Sequence, residues 1–252
     1  MNMVMNIALR ELRVLFSSPL AWSILAVLQV ILAYLFLSQV DAFLILQSQL
    51  ATLENAPGLS DLIVSPLYSS AAIIMLLITP LLTMRLISEE RRNKTLSLLL
   101  SAPVSNVEII LGKYLGVFGF LLLMVLMLTL MTLSLLAGGK IDIGNLFSNV
   151  LALTLLLSSF AAIGLYMSSI ASHPTVAAVS TFGVLLLLWI LDWTTGTSVQ
   201  SGETLEYVSM LSHFQQLQTG LINSKDVIYY LLFSATFLIL SIRQLDNDRL
   251  QK

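Results

Sequence analysis

Six stretches of this chain are almost continuously apolar: about Leu20 to Val40, Pro66 to Ile87, Val107 to Ala137, Phe147 to Ile170, Val176 to Asp192 and Val227 to Ile242. A bilayer core of about 30 Å takes about 20 apolar residues per helix, and these runs cluster around that length. The composition agrees, since 10% of the 252 residues are charged and 57% apolar, where a soluble domain carries about 25% charged residues. The third run is long enough to tilt, or to begin below the membrane surface; the fifth is short and flanked by polar loops. The expected fold is therefore an all-α integral membrane protein with six transmembrane helices. The first run is longer than the core of a signal peptide, and no small-x-small cleavage site follows it. Ser18-Pro19 supplies an N-cap and a proline at the first helical position, so a helix starts there and is expected to stay.

Charge placement gives an orientation, because Lys and Arg concentrate on the cytoplasmic side. With six spans, the segments on the side of both termini hold Arg10, Arg13, Arg85, Arg91, Arg92, Lys94, Lys113, Arg243, Arg249 and Lys252, and the opposite side only Lys140 and Lys225. Both termini are thus expected in the cytoplasm. The net charge of −2 gives no reason to expect a nucleic-acid partner. The absence of cysteine excludes disulfides, thiolate metal sites and cysteine nucleophiles, and two histidines are too few for a histidine metal cluster.

Residues 1–18 read as an amphipathic helix in the membrane interface: Asn6, Arg10, Arg13 and Ser17 share one face, and Val4, Ala8, Leu12 and Leu15 another. Residues 194–225 form an external segment whose 203–222 part keeps helical spacing of Leu205, Val208, Leu211, Phe214, Leu217 and Leu221. No segment is large enough for a soluble domain, so residues 1–252 are expected to form one transmembrane domain. The most informative stretch is 88–103. The cluster Glu89-Glu90-Arg91-Arg92 leaves the second span, a short apolar run with Thr95, Leu96, Leu98, Leu99, Leu100 and Ala102 follows, and Pro103 stops it. Ser105-Asn106-Val107-Glu108 is then a capping box that opens the third helix. Apolar surface beside clustered charge has the character of a docking site for a partner protein; the same spacing also suits a positive-inside anchor with a lipid-facing turn.

The run Pro80-Leu81-Leu82-Thr83-Met84-Arg85-Leu86-Ile87-Ser88-Glu89-Glu90-Arg91-Arg92, with Thr95 to Ser105 and Ile109-Ile110-Leu111-Gly112-Lys113-Tyr114 after it, resembles the ABC-2 family of ATP-binding-cassette transporter permeases. Arg10-Glu11-Leu12 with Phe16-Ser17-Ser18-Pro19 resembles the N-terminal segment of that family. Leu211-Ser212-His213-Phe214 and Gly220 to Tyr230 resemble the end of its gliding-motility-associated branch. The family often has Gly where Lys94 stands, and Glu where Ser97 stands; both departures alter the charge that an ATPase would meet. The resemblance implies a permease dimer with twelve helices and two copies of a separate ATPase below it. Residues 95–102 would be a coupling helix in a groove of the ATPase, with Glu89, Glu90, Arg91, Arg92, Thr95, Leu96, Leu98, Leu99, Ala102 and Pro103 in the docking region. Arg10, Glu11 and Arg13 would lie on a connecting helix against the same subunit. ATP and Mg would belong to the partner, with no cofactor in this chain. The location implied is a bacterial cytoplasmic membrane, with a membrane-anchored extracytoplasmic protein as a further partner and export as the usual direction.

Other chemistries fit less well. Gly138-Gly139-Lys140 lacks the rest of a phosphate-binding loop, and Gly196-Thr197-Ser198 fails as a nucleophile elbow because Gln200 stands where Gly is required. An integral-membrane enzyme has Asp192 as its one candidate near a span interior, and an Asp beside Trp189 and Trp193 suits an interfacial belt. His173 precedes Pro174 in a tight turn and is expected to bond locally, and His213 has no obvious acidic or metal partner. A non-transporting scaffold would need only hydrogen bonds between helices, and Gln29, Gln39, Thr79, Thr129, Thr132, Ser158, Ser159, Ser168, Ser169, Ser180 and Thr181 supply candidates. None of these is charged, which disfavours an ion-coupled carrier and suits a lipid-linked, amphipathic or small apolar substrate. Gly112, Gly116 and Gly119 make a surface for close helix contact, a common pattern only weakly tied to a dimer seam.

Overall fold

A computed structural model describes residues 3–50, 58–96, 104–137, 142–195 and 209–250. The described residues are helical with short connections: α1 (Met3–Ser17), α2 (Pro19–Leu50), α3 (Ser65–Thr83), α4 (Ser88–Arg92), α5 (Asn106–Leu133), α6 (Ile143–Ile170), α7 (Pro174–Thr195), α8 (Met210–Gln218) and α9 (Ser224–Leu250). A π-helical turn at Ser60–Val64 precedes α3, and a 3-10 turn at Ser134–Ala137 follows α5. Five segments are long and apolar enough to cross a membrane: Pro19–Leu46, Ser60–Arg92, Asn106–Ala137, Ile143–Ile170 and Ser224–Arg249. The sixth expected span, 176–192, lies within α7, whose apolar part, Pro174–Ile190, is shorter. The chain is thus an all-helical, multi-pass membrane protein with five to six long apolar helices.

The centre of the bundle is α6. Its most apolar stretch is 67% buried, against 28% for the first span and 22% for the last, so α6 packs on protein while α2 and α9 present most of their surface outward. It touches α3, α5, α7, α8 and α9. Side chains as large as Tyr68, Phe120, Phe160, Phe214 and Tyr230 are fully enclosed. Within this core, hydroxyls of neighbouring helices pair: Tyr114 Oη with Ser158 Oγ at 2.8 Å, Ser158 Oγ and Ser159 Oγ with Ser234 Oγ at 3.0 and 3.1 Å, and Tyr68 Oη with Thr129 Oγ1 at 3.0 Å. Thr79, Thr132 and Thr181 instead donate back to carbonyls of their own helices, which satisfies the hydroxyl without joining elements.

Several boundaries follow from local chemistry. Ser18 caps α2 through Leu20 N–H, 3.3 Å from its Oγ. The expected capping box is formed: Glu108 N–H donates to Ser105 Oγ at 3.2 Å and Ser105 N–H to Glu108 Oε2 at 2.9 Å. Asp142 caps α6 through the N–H groups of Gly144 and Asn145. The backbone carbonyl of His173 accepts Ala177 N–H at 3.1 Å, which opens α7.

Other boundaries differ from expectation. The first span does not stop near Val40; α2 continues to Leu50, because residues 41–50 contain neither Pro nor Gly and keep good helix formers. The second does not run unbroken to Ile87. Pro80 lacks an N–H, α3 ends at Thr83, and the orphaned N–H groups of Ile87 and Ser88 donate to Ser168 Oγ of α6 at 3.0 and 3.2 Å. Gly164 makes this crossing possible, since a Cβ there would lie 2.2 Å from Thr83 Oγ1. Within 194–225, residues 194–195 complete α7 and the described helix is α8. Ser148 Oγ donates to Leu217 O, Ser69 Oγ to Gln218 Oε1 at 2.9 Å, and Gln218 Nε2 to Ser65 O at 3.2 Å, which seats α8 on α3 and α6.

Candidate functional site

The charged segment after the second span folds as the five-residue helix α4, closed by a Schellman motif. Thr95 N–H donates to Glu90 O at 2.9 Å and Lys94 N–H to Arg91 O at 3.1 Å. This ending requires a left-handed residue, and Lys94 has φ +57°. Lys94 is therefore in the conformation that Gly adopts most readily, at the position where the resembling family often has Gly.

Around α4 the chain gathers its ionic groups. Lys113 Nζ lies 2.9 Å from Glu11 Oε1 and 2.8 Å from Glu90 Oε1, and 4% of its side chain is exposed. One ammonium thus joins α1, α4 and α5. Burying a charge is costly unless it is paired and hydrogen-bonded, and two carboxylates meet that requirement. On the other side of α4, Arg91 forms an ion pair with Asp248 of α9 and donates to Ser169 O of α6 at 2.6 Å. Asn106 Nδ2 donates to Asp246 Oδ1 at 2.5 Å, bringing the start of α5 to the end of α9.

The glycines of α5 bring α1 close enough for the Lys113 contact. A Cβ on Gly112 would sit 2.6 Å from Ile7 Cβ and 3.1 Å from Val4 O; one on Gly116 would sit 2.6 Å from Glu11 Cβ and 3.1 Å from Ala8 O. This small-residue surface is occupied by α1 of the same chain. Phe16 adds an edge-on contact with Phe120, their ring centres 5.3 Å apart.

Of the residues expected from sequence to dock a partner, Glu90 and Arg91 are turned inward to these ties. Arg92 and Thr95 are exposed, Glu89 is half-buried and Leu96 is buried. Leu98, Leu99, Ala102 and Pro103 lie outside the described residues. Arg10 and Arg13 are exposed on α1, while Glu11 faces Lys113. The sequence places Lys113 among the cytoplasmic charges; the structure encloses it near the start of α5, with its partners on α1 and α4. An isolated Lys two turns into an apolar run was itself the signal, because ionisable groups there mark paired or functional sites. His213 also has an acidic partner that spacing did not reveal, Asp226 Oδ1 at 2.6 Å from its Nδ1, with its ring stacked on Tyr229. Asp192 lies where side chains are not described. No group of three metal-ligating side chains occurs among the described residues.

A model of the ABC-2 family transporter proteins matches residues 5–245. The chain belongs to that family. Among curated proteins none matches it. Residues 5–245 take in α4, the Lys113 tie and most of α1 and α9, while Asp246 and Asp248, the α9 partners of Asn106 and Arg91, lie just beyond the match. Membership supports a membrane permease, a non-catalytic transporter component that works with an ABC ATPase.

Proposed function

We infer that this ABC-2 protein forms the translocation pathway of an exporter, as a dimer of permease subunits carried on two copies of an ATPase chain. Residues 95–102 act as the coupling helix, with Leu98 and Leu99 in a groove of the ATPase. Exposed Arg92 and Thr95 flank the contact, and α1 is the connecting helix beside it. The chain sits in a bacterial cytoplasmic membrane with both termini inside, as the distribution of Lys and Arg favours. The substrate class is lipid-linked, amphipathic or small, and an extracytoplasmic accessory protein belongs to the same assembly.

The observation that carries this reading is the three-way contact of Lys113 with Glu11 and Glu90. A force on the segment after α4 reaches α1 through Glu11 and the third span through Lys113 itself, so docking and pathway share one rigid joint. ATP can drive such a device only if the ATPase binds two permease states with different affinity. The test is Leu98→Asp with Leu99→Asp. The double variant is expected to insert and dimerise normally while losing the ATPase on affinity purification from the membrane. Retention of the ATPase would place the coupling helix elsewhere.

A further inference from the structure

Beside the Lys113 tie a cavity of about 330 Å³ opens between α1, the start of α2, the end of α3 and α4. Its walls are of two kinds. Arg10, Arg85, Glu89 and Glu90 form a charged part together with Glu11 and Lys113, which are already paired with each other, and Leu20 and Leu81 belong to an apolar part. Among the described residues, Arg10, Arg85 and Glu89 make no ion pair within the chain, and Glu90 leaves Oε2 buried without a hydrogen-bond partner. The cleft therefore offers two guanidinium groups and two carboxylates to a ligand carrying both signs of charge.

Its position selects the ligand further. The cleft lies where the first two apolar spans end in charge, the level of lipid headgroups. From it an exposed apolar stripe runs along α3: Leu81 is 44% exposed, Leu77 52% and Ile73 50%. These residues are four apart and share one face, giving a track that leads from the charged cleft into the bilayer. A docked water-soluble protein would have no use for such a track; an acyl chain would.

We propose that this cleft holds the headgroup of an aminophospholipid, with phosphate on Arg10 and Arg85, the primary ammonium on Glu89 and Glu90, and an acyl chain along Leu81, Leu77 and Ile73. A primary ammonium can donate to the carboxylates, and a quaternary ammonium of the same charge cannot. The proposal rests on the membrane reading; Thr95, which flanks the ATPase contact inferred above, also lines the cleft, so lipid binding and ATPase retention are read separately.

The full chain, delipidated in detergent, is titrated with phosphatidylethanolamine, phosphatidylcholine or phosphatidylglycerol of identical acyl chains, and binding is read by native mass spectrometry. Phosphatidylethanolamine is expected to bind about tenfold more tightly than phosphatidylcholine, the worth of one charge-assisted hydrogen bond. Glu89→Gln should erase that preference and Arg85→Glu should weaken both lipids, with the apparent melting temperature confirming that each variant is folded. Equal binding of the two lipids, stronger binding of phosphatidylglycerol, or indifference to both substitutions would overturn the proposal. So would an Arg85→Glu variant that keeps its lipid preference and loses the ATPase, because the cleft would then be a protein-docking surface. If Leu98→Asp with Leu99→Asp retains the ATPase while the lipid preference stands, the docking assignment fails and the lipid site does not.

Discussion

At one end of the bundle, Lys113 holds Glu11 and Glu90 at 2.9 and 2.8 Å, and Arg91 holds Asp248. At the other end the joints among α3, α6 and α8 are made largely by amides and hydroxyls, beside the buried contact of Asp226 with His213 that ties α9 to α8. Asn149 Nδ2 donates to Asn145 Oδ1 at 2.7 Å and Ser65 Oγ at 3.4 Å, Asn145 Nδ2 to Asp61 Oδ1 at 3.4 Å, and Asp142 N–H to Ser60 Oγ at 3.0 Å. The difference is in what happens when one member is lost. A neutral hydrogen bond contributes about 1 kcal/mol net, and a network of them degrades by steps. A buried ion tie has little net worth against an apolar replacement, yet removing one partner is severe because a charge is left stranded. The Asn145 end therefore weakens gradually, and under the coupling proposed above the Lys113 end would move three helices as a unit.

The sharpest way to break this contrast is Lys113→Met. It strands Glu11 and Glu90 and is expected to lower stability by about 3 kcal/mol, seen as a fall in the melting temperature of the detergent-purified chain. Adding Glu11→Leu and Glu90→Leu should restore most of that stability while transport stays uncoupled from ATP hydrolysis. A triple variant that is stable and fully coupled would show the tie to be only structural.

Gly116→Val comes next. A Cβ 2.6 Å from that of Glu11 forces α1 away, at about 2 kcal/mol by analogy with overpacked cores, and should leave α1 open to proteolysis. At the opposite end Asn149→Ala should cost about 1 kcal/mol with coupling intact; a larger loss with uncoupling would erase the distinction between the two ends. The smallest expected effect is a gain. Lys94→Gly relieves a left-handed non-glycine residue and should raise stability by about 1 kcal/mol, detectable as a modest upward shift in melting temperature.

Elements whose cause is local were legible from the chain alone. The Ser105–Glu108 capping box, the Ser18-Pro19 start and the helical spacing around Leu211 to Leu217 each depend on residues within a turn or two of one another. The capacity of Gly112 and Gly116 for close contact was equally visible. What was not legible was the occupant, because spacing describes the surface of a helix and says nothing of what covers it; the occupant is α1. The early end of α3 was half legible. Pro80 announced a weak point, but the stop at Thr83 depends on Ser168 Oγ, 80 residues away from Ser88, accepting the freed N–H groups. Glu90 and Arg91 were legible as charged but not as inward-facing, and His213 could not be matched to Asp226, since the turn between α8 and α9 alone sets their approach.

The sequence by itself determined the medium and the class of fold, because the free energy of moving long apolar runs into lipid depends on composition and length and hardly on arrangement. It also determined membership in the ABC-2 family, through motifs that are contiguous in the chain. The tertiary structure decided which charges work together. Glu11, Glu90 and Lys113 lie on three helices, and their attraction becomes a joint only after the glycine face of α5 has drawn α1 in and Ser168 has fixed the break before α4. Electrostatic coupling falls off with distance through space, and the separation of those residues in space is a property of the folded bundle alone.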